Sequence, residues 1–338
     1  MIANHHRDVS SMLARMHTRR VCALTVFLVF MSWHTVASAK QSWSVWIQQL
    51  RTEALSEGIS PDVFDAAFAG VTPMRRVISL DRGQPERRLT YLKYRSTRAK
   101  AYRINLGKRK FKKYGPKLRN IGREYGVDPC IIASLWGLES SYGHYMGHFP
   151  VIRALATLAY DDRRAAFFRK ELLLALHILN DGHVTLAKFK GEWAGGSGHP
   201  QFLPSSWHRY AVDYDKDGRK DIWGTHDDVF ASIANYLASN GWTQGQPWGL
   251  EVYLPDGFDE SQIGYDTKKP LSAWIAQGVT PLRGRSFPKT DWEASILQPY
   301  GGPALLVFDN FRVILRYNRS TFYAGTVSYM ADKICRRW

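Results

Sequence analysis

Glu139 stands apart from the other carboxylates of this 338-residue chain because it closes an apolar run. The run reads Ile131-Ile132-Ala133-Ser134-Leu135-Trp136-Gly137-Leu138-Glu139, and Gly143 follows it. In a helix, Leu135, Trp136 and Glu139 share a face. A carboxyl against apolar rings is desolvated, and a helix C-terminus disfavours an anion, so both raise its pKa. An acid still protonated near neutral pH can give its proton to a leaving oxygen. The plainer reading is a solvated or ion-paired glutamate at a helix end.

A second set of acids suits metal chemistry. Asp213, Asp215, Asp217 and Asp221 occupy positions 1, 3, 5 and 9 of a loop with Gly218 at position 6. That is the opening of an EF-hand calcium loop, in which Arg219 at position 7 would offer its backbone carbonyl. Position 12 is Gly224 and not the usual Glu, so Asp227, three residues further on, is the candidate replacement. The expected cofactor is a structural Ca²⁺, against the competing reading of a solvated Asp-rich turn.

These groups need a mainly helical scaffold. In residues 41–70, Trp43, Trp46, Ile47 and Leu50 share a helical face, and Ser60-Pro61-Asp62 marks a helix start. Residues 72–88 read as a connector with short helical pieces. Residues 91–123 hold 13 Lys and Arg and no Asp or Glu, yet apolar residues recur through them. They form either a solvated basic face or a contact surface for an anionic polymer. Residues 127–190 are helical with breaks at Gly143, Gly147 and Gly182, and residues 191–224 are loop-rich. A helix over 229–240 is closed by Gly241. Residues 246–307 change texture, with β-favouring runs such as Leu250-Glu251-Val252-Tyr253-Leu254. Residues 308–335 return to helical spacing.

The first 39 residues have the plan of an export signal. Arg15, Arg19 and Arg20 precede an apolar run from Val21 to Trp33, and Ala37-Ser38-Ala39 is a small-residue cleavage pattern. An uncleaved anchor is the alternative, although the run is short for a bilayer span. The net charge of +16 falls only to about +13 without the leader, whose four Arg and one Asp account for the difference. Export argues against nucleic acid and for an anionic polymer outside the cytoplasm. Cys130 and Cys335 remain in the mature chain, as a pair or as two buried thiols.

Several ordered blocks carry a family resemblance. They include Glu139-Ser140-Ser141-Tyr142-Gly143, Met146-Gly147-His148-Phe149, the stretch 192–206 with Gly198-His199-Pro200-Gln201-Phe202, and Asn235-Tyr236-Leu237 with Gly241-Trp242. Asn310-Phe311, Tyr317-Asn318 and Tyr323-Ala324 complete the set. Over residues 41–335 the chain resembles the membrane-bound lytic murein transglycosylase B family, glycoside hydrolase family 103. The resemblance implies a mainly α (α+β) fold: a lysozyme-like helical core, an α-helical subdomain and a small β-containing one. The boundaries it suggests are 40–126 for the N-terminal helical subdomain, 127–245 for the catalytic core, 246–307 for the β part and 308–338 for the helical return.

The resemblance also implies a lytic transglycosylase, with Glu139 as the single acid, then base. It would cut the bond between N-acetylmuramic acid and N-acetylglucosamine in peptidoglycan and leave 1,6-anhydro ends. Gln201, Tyr236, Asn310 and Tyr317 match groups around the cleft, and Ser141 and Tyr142 flank the acid. Trp136, Tyr142, Trp193 and Tyr236 could stack on sugars or simply fill the core. Glu192 stands where many members have a small hydroxyl residue, and there it could raise the pKa of Glu139. The family carries a variant calcium loop, which supports Asp227. A monomer in the periplasm is expected, acting on peptidoglycan strands, with other cell-wall enzymes as conceivable partners and no nucleic acid. A two-carboxylate hydrolase, with Asp161, Asp162 or Glu192 as second acid, and a non-catalytic calcium-stabilised wall binder are the competing functions.

Overall fold

The computed structural model describes residues 41–83, 89–282 and 284–335. The expected leader lies outside the described residues. Among the described residues five helices come first: α1 (Trp43–Ser56), α2 (Pro61–Phe68), α3 (Arg75–Arg82), α4 (Tyr91–Arg98) and α5 (Ala101–Glu124). The Ser42 hydroxyl caps α1 by accepting from the Val45 N–H, and α1 buries Trp46, Leu50 and Ala54 at four-residue spacing. Pro61 opens α2 as its spacing predicts. The basic stretch is two helices, because the chain turns at Ala99 and Lys100 between α4 and α5.

Helix α6 (Pro129–Ser140) is the centre of the body. Asp128 caps it by accepting from Cys130 N–H at 2.9 Å, and Pro129 sits at its first position. Every residue from Cys130 to Gly137 is buried, the mark of a core helix apolar all round. Gly107 of α5 and Gly137 of α6 leave a slot for Tyr142. A Cβ at either glycine would lie 2.2–2.3 Å from the Tyr142 ring or hydroxyl.

The chain continues through β1 (Phe149–Pro150), α7 (Val151–Tyr160), α8 (Ala165–Asn180), β2 (Lys190–Gly191), α9 (Pro204–Tyr210) and α10 (His226–Ser239). Strands β1 and β2 pair antiparallel. The β part holds β3 (Gly249–Tyr253), β4 (Lys269–Pro270), α11 (Leu271–Ala276), β5 (Thr280–Pro281), β6 (Glu293–Leu297) and β7 (Ala304–Val307). Its antiparallel order is β4-β6-β7-β3-β5. Alternation splits the sheet between two cores. Leu250, Val252, Ile296, Ala304 and Leu306 face a small core around Trp274, whereas Leu297, Leu305 and Val307 join the main helical core.

Helices α12 (Asp309–Tyr317) and α13 (Thr321–Cys335) bring the chain back onto α6. Cys130 and Cys335 are disulfide-bonded, with Cα atoms 6.1 Å apart. The bond ties the start of α6 to the end of α13. The architecture is mainly α with a small antiparallel sheet, as the sequence predicts.

Candidate active site

Glu139 lies one residue before the end of α6 and is half-buried. Tyr323, in the first turn of α13, donates its hydroxyl to Glu139 Oε1. Burial pushes the Glu139 carboxyl up to about 7. The Tyr323 hydrogen bond and the Arg98 charge pull it down, and the Glu192 charge pushes it further up. Tyr323 itself is held protonated by burial and by the facing carboxylate. The polar ring on the acid is therefore a tyrosine from a distant helix. Trp136 is fully buried and gives its indole N–H to His199 Nδ1 at 2.7 Å. His199 is kept neutral by burial, with its pKa lowered to about 4.

The turn after Glu139 is unusual. Ser141, Tyr142 and Gly143 are three consecutive left-handed residues, with φ of 50°, 62° and 83°. Left-handed non-glycine residues carry strain and cluster at functional sites. Gly143 is required on two grounds, its positive φ and a His199 ring that a Cβ would meet at 2.2 Å. Ser141 Oγ accepts from Arg103 Nη2 at 2.9 Å. Tyr142 is buried in its glycine slot, edge-on to Trp136. Trp136 and Tyr142 are thus core side chains and not sugar-stacking platforms.

The Gln201 loop forms the next wall. Ser197 and Phe202 exchange backbone hydrogen bonds of 3.0 and 3.1 Å, which leaves Gln201 left-handed at φ 52°. Gln201 Nε2 donates to Met146 O at 3.1 Å and Gly198 O at 2.7 Å, tying the loop across to the segment after Glu139. Tyr317 donates its hydroxyl to Pro200 O. Tyr317 stacks on Tyr323 with ring centroids 6.5 Å apart and lies 4.7 Å from Tyr236. Tyr236 is buried, with its hydroxyl on Arg316 O at 2.7 Å. The structure therefore brings Glu139, Gln201, Tyr236, Tyr317 and Tyr323 into one linked wall.

Asn310 does not reach it. That residue is fully buried, donating to Thr243 O at 2.8 Å and Gln246 O at 2.6 Å and accepting from Thr243 N–H at 2.7 Å. It braces the loop after α10 instead of lining the cleft. Glu192 follows β2, within electrostatic reach of Glu139 and hydrogen-bonded to Tyr145. A groove of about 460 Å³ opens beside it, lined by Tyr145, His148, Glu192 and Trp193 with Met74 and Arg76. Asp161 is held in an ion pair with Arg82 at 2.8 Å.

In the acidic loop, ligand oxygens of Asp213, Asp215 and Asp228 lie within 4.8 Å of one another. Asp227 points elsewhere and pairs with Lys117. The next residue, Asp228, takes the place expected for it, because the helical start of α10 turns adjacent side chains to different faces. Asp228 accepts from Tyr214 N–H at 2.7 Å and Asp221 N–H at 2.8 Å. Burial raises it to about 6, and the Asp215 charge adds to this. Asp217 caps Arg219 N–H at 2.8 Å, and Asp221 caps Trp223 N–H and Gly224 N–H at 2.9 and 2.8 Å. The donor set is all oxygen and crowded with negative charge, which suits a hard divalent cation.

A helical body holding a half-buried acid poised near neutral pH is equipped for general acid–base chemistry. Comparison with known proteins agrees. Residues 42–332 match the family described as Transglycosylase SLT domain, and the chain belongs to that family of lytic transglycosylases, with a lysozyme-like fold. The membrane-bound lytic murein transglycosylase B of Escherichia coli K12 is 33% identical over 256 residues, 72% of this chain and 67% of that protein. The crystal structure of SltB3 from Pseudomonas aeruginosa with NAG-anhNAM-pentapeptide is 43% identical. It covers 87% of this chain and 80% of that one, with a TM-score of 0.84. The Escherichia coli lytic transglycosylase Slt35 in complex with calcium is 29% identical at a TM-score of 0.73, covering 86% and 92%. No helix among the described residues is long and apolar enough to cross a membrane.

Proposed function

We propose that this enzyme cleaves the β-1,4 bond between N-acetylmuramic acid and N-acetylglucosamine in peptidoglycan without consuming water. The observation that carries the reading is the Glu139 carboxyl, raised to about 7 and held by Tyr323. Protonated Glu139 gives its proton to the glycosidic oxygen as the bond to C1 breaks. The substrate's acetamido oxygen supports the positive centre from the other face. Ionised Glu139 then takes the proton of the muramic acid C6 hydroxyl, whose oxygen bonds to C1 and closes the 1,6-anhydro ring. One carboxyl serves both steps, because the first leaves it in the form the second needs.

Gln201 and Tyr317 form the wall against which the sugars lie, backed by the buried Tyr236, with Ser141 supporting the turn after the acid. Asp213, Asp215 and Asp228 would hold a structural Ca²⁺, assisted by the Asp217, Arg219 and Asp221 segment. The relative Slt35 was solved with calcium, which supports the assignment. Its work is expected outside the cytoplasm, where peptidoglycan lies, after removal of the 1–39 leader.

The coupling of Glu192 to Glu139 favours one second reading, a two-carboxylate hydrolase. Digestion of purified sacculi separates the two. Anhydro products are lighter than hydrolysis products by one water, about 18 Da. The wild type should give the lighter set, and Glu139→Gln should lower release by on the order of 10³-fold. Unchanged release by Glu139→Gln would remove the proposal.

A further inference from the structure

Helices α5 and α6 run antiparallel. Arg103, near the start of α5, bonds Ser141 beside the catalytic acid, whereas Gly122, near its end, packs on Pro129 at the opposite end of α6. Along α5, Tyr102, Asn105, Arg109, Lys112, Pro116, Arg119 and Arg123 recur at spacings of three and four. They share one face, and every one of them is exposed. That stripe is about 30 Å long. It holds four cations and no acid, and none of the four has a carboxylate partner among the described residues.

The α5 cations that meet a carboxylate or the Trp136 ring lie off the stripe, whereas on it Arg123 donates to Asn120 Oδ1. Lys117 pairs with Asp227, and Lys110 lies over the Trp136 ring at 5.6 Å. Like charges at helical spacing repel one another, and an unneutralised row of them adds nothing to folding. At its far end the stripe enters a groove of about 640 Å³, larger than the one beside Glu192. Arg119, Asn120, Arg123, Trp242 and Gln244 line it. Asp128, the acid of this lining, caps α6 through Oδ1. Paired guanidinium groups fit carboxylates, and an indole beside amides fits a sugar or peptide face.

We propose that this stripe and its terminal groove are a second, non-catalytic binding track for a carboxylate-bearing glycan strand. The track leads away from the catalytic end of α6. It rests on the peptidoglycan reading, and its occupant is a length of that polymer whose stem-peptide carboxylates meet Arg109, Lys112, Arg119 and Arg123. The track holds the enzyme on an insoluble wall while the cleft works elsewhere on it.

The test is co-sedimentation with purified sacculi, all in the Glu139→Gln background so that the polymer stays whole. Native sacculi are compared with sacculi whose carboxylates have been amidated. Amidation should weaken binding about tenfold, and Arg119→Gln with Arg123→Gln should weaken binding to native sacculi to the same level. The double variant should then be indifferent to amidation. The proposal is overturned if amidation leaves binding unchanged, if the double variant binds native sacculi normally, or if amidation weakens the variant as much as the parent. Release of anhydro products by the wild type is measured in parallel. Its absence removes the underlying reading and this one with it, whereas its presence with charge-insensitive binding removes this one alone.

Discussion

The high pKa of Glu139 owes more to position than to partners. Burial raises it, Tyr323 and Arg98 restrain it, and Glu192 adds to it, so substitutions should move it in opposite directions. In the proposed mechanism the acid form breaks the bond, so turnover should fall as pH rises through about 7. Tyr323→Phe removes a bond that favours the anion, which should shift that falling limb to higher pH. Glu192→Gln removes a repelling charge and should shift it to lower pH. Rate–pH profiles of the two variants check this, and a shift in the same direction for both would contradict it. Stability follows the same linkage. The folded pKa lies above the unfolded value, so the native state keeps its proton longer, and stability declines as pH rises from about 4.5 to about 7. Glu139→Gln should therefore raise the melting temperature more at pH 8 than at pH 4. The gain is on the order of 2 kcal/mol. Glu139 was legible in the sequence because its environment is local, an apolar helix ending in glycine. Tyr323 stood in one of the family blocks, but its bond to the acid was not legible, since it meets Glu139 from 184 residues away. Arg98 was hidden in a run of 13 cations, with nothing local to distinguish it.

At the scale of elements, the site depends on how α5, α6 and α13 are pinned together. Tyr142 fills the slot left by Gly107 and Gly137, so Gly137→Ala would place a Cβ 2.3 Å from its ring. The displaced tyrosine would carry with it the left-handed turn that follows Glu139. We expect a loss of about 1–3 kcal/mol in denaturant unfolding, as for other overpacked cores, together with reduced turnover. The Cys130–Cys335 bond spans 205 residues and joins the two helices that supply Glu139 and Tyr323. Replacing both cysteines with serine should cost about 2–5 kcal/mol, read by the same unfolding experiment. Most helices were readable from apolar spacing and from Ser, Asp and Pro at their starts. The strand Gly249–Tyr253 falls on the run read as β. The division of the sheet between two cores was not readable, because strand alternation shows two apolar faces without saying what covers each. The pairing of the cysteines was likewise left open, since distance in sequence says nothing of distance in space.

At the scale of the molecule, a metal would fix the loop that follows the Gln201 wall. Asp213, Asp215 and Asp228 repel one another without a cation, so Ca²⁺ should raise the melting temperature by a few degrees and a chelator should reverse it. Asp228→Asn should abolish that response and Asp227→Asn should retain it, because the Asp227 carboxylate is engaged with Lys117. A response lost in Asp227→Asn and kept in Asp228→Asn would restore the ligand set expected from spacing alone. The choice between neighbouring acids was beyond the sequence, since it turns on the first residues of α10 and on which way the helix presents them. The overall architecture was legible because long ordered blocks recur from Glu139 to Tyr323, on both sides of the sheet.

The most direct test of a single acid–base carboxyl is digestion of sacculi by the wild type in ¹⁸O-labelled water, with the released muropeptides weighed. The products should be anhydro species, lighter by one water and free of ¹⁸O. Reducing ends carrying ¹⁸O would show that water is the nucleophile and would contradict a mechanism in which Glu139 takes the proton of the C6 hydroxyl, whose oxygen attacks C1.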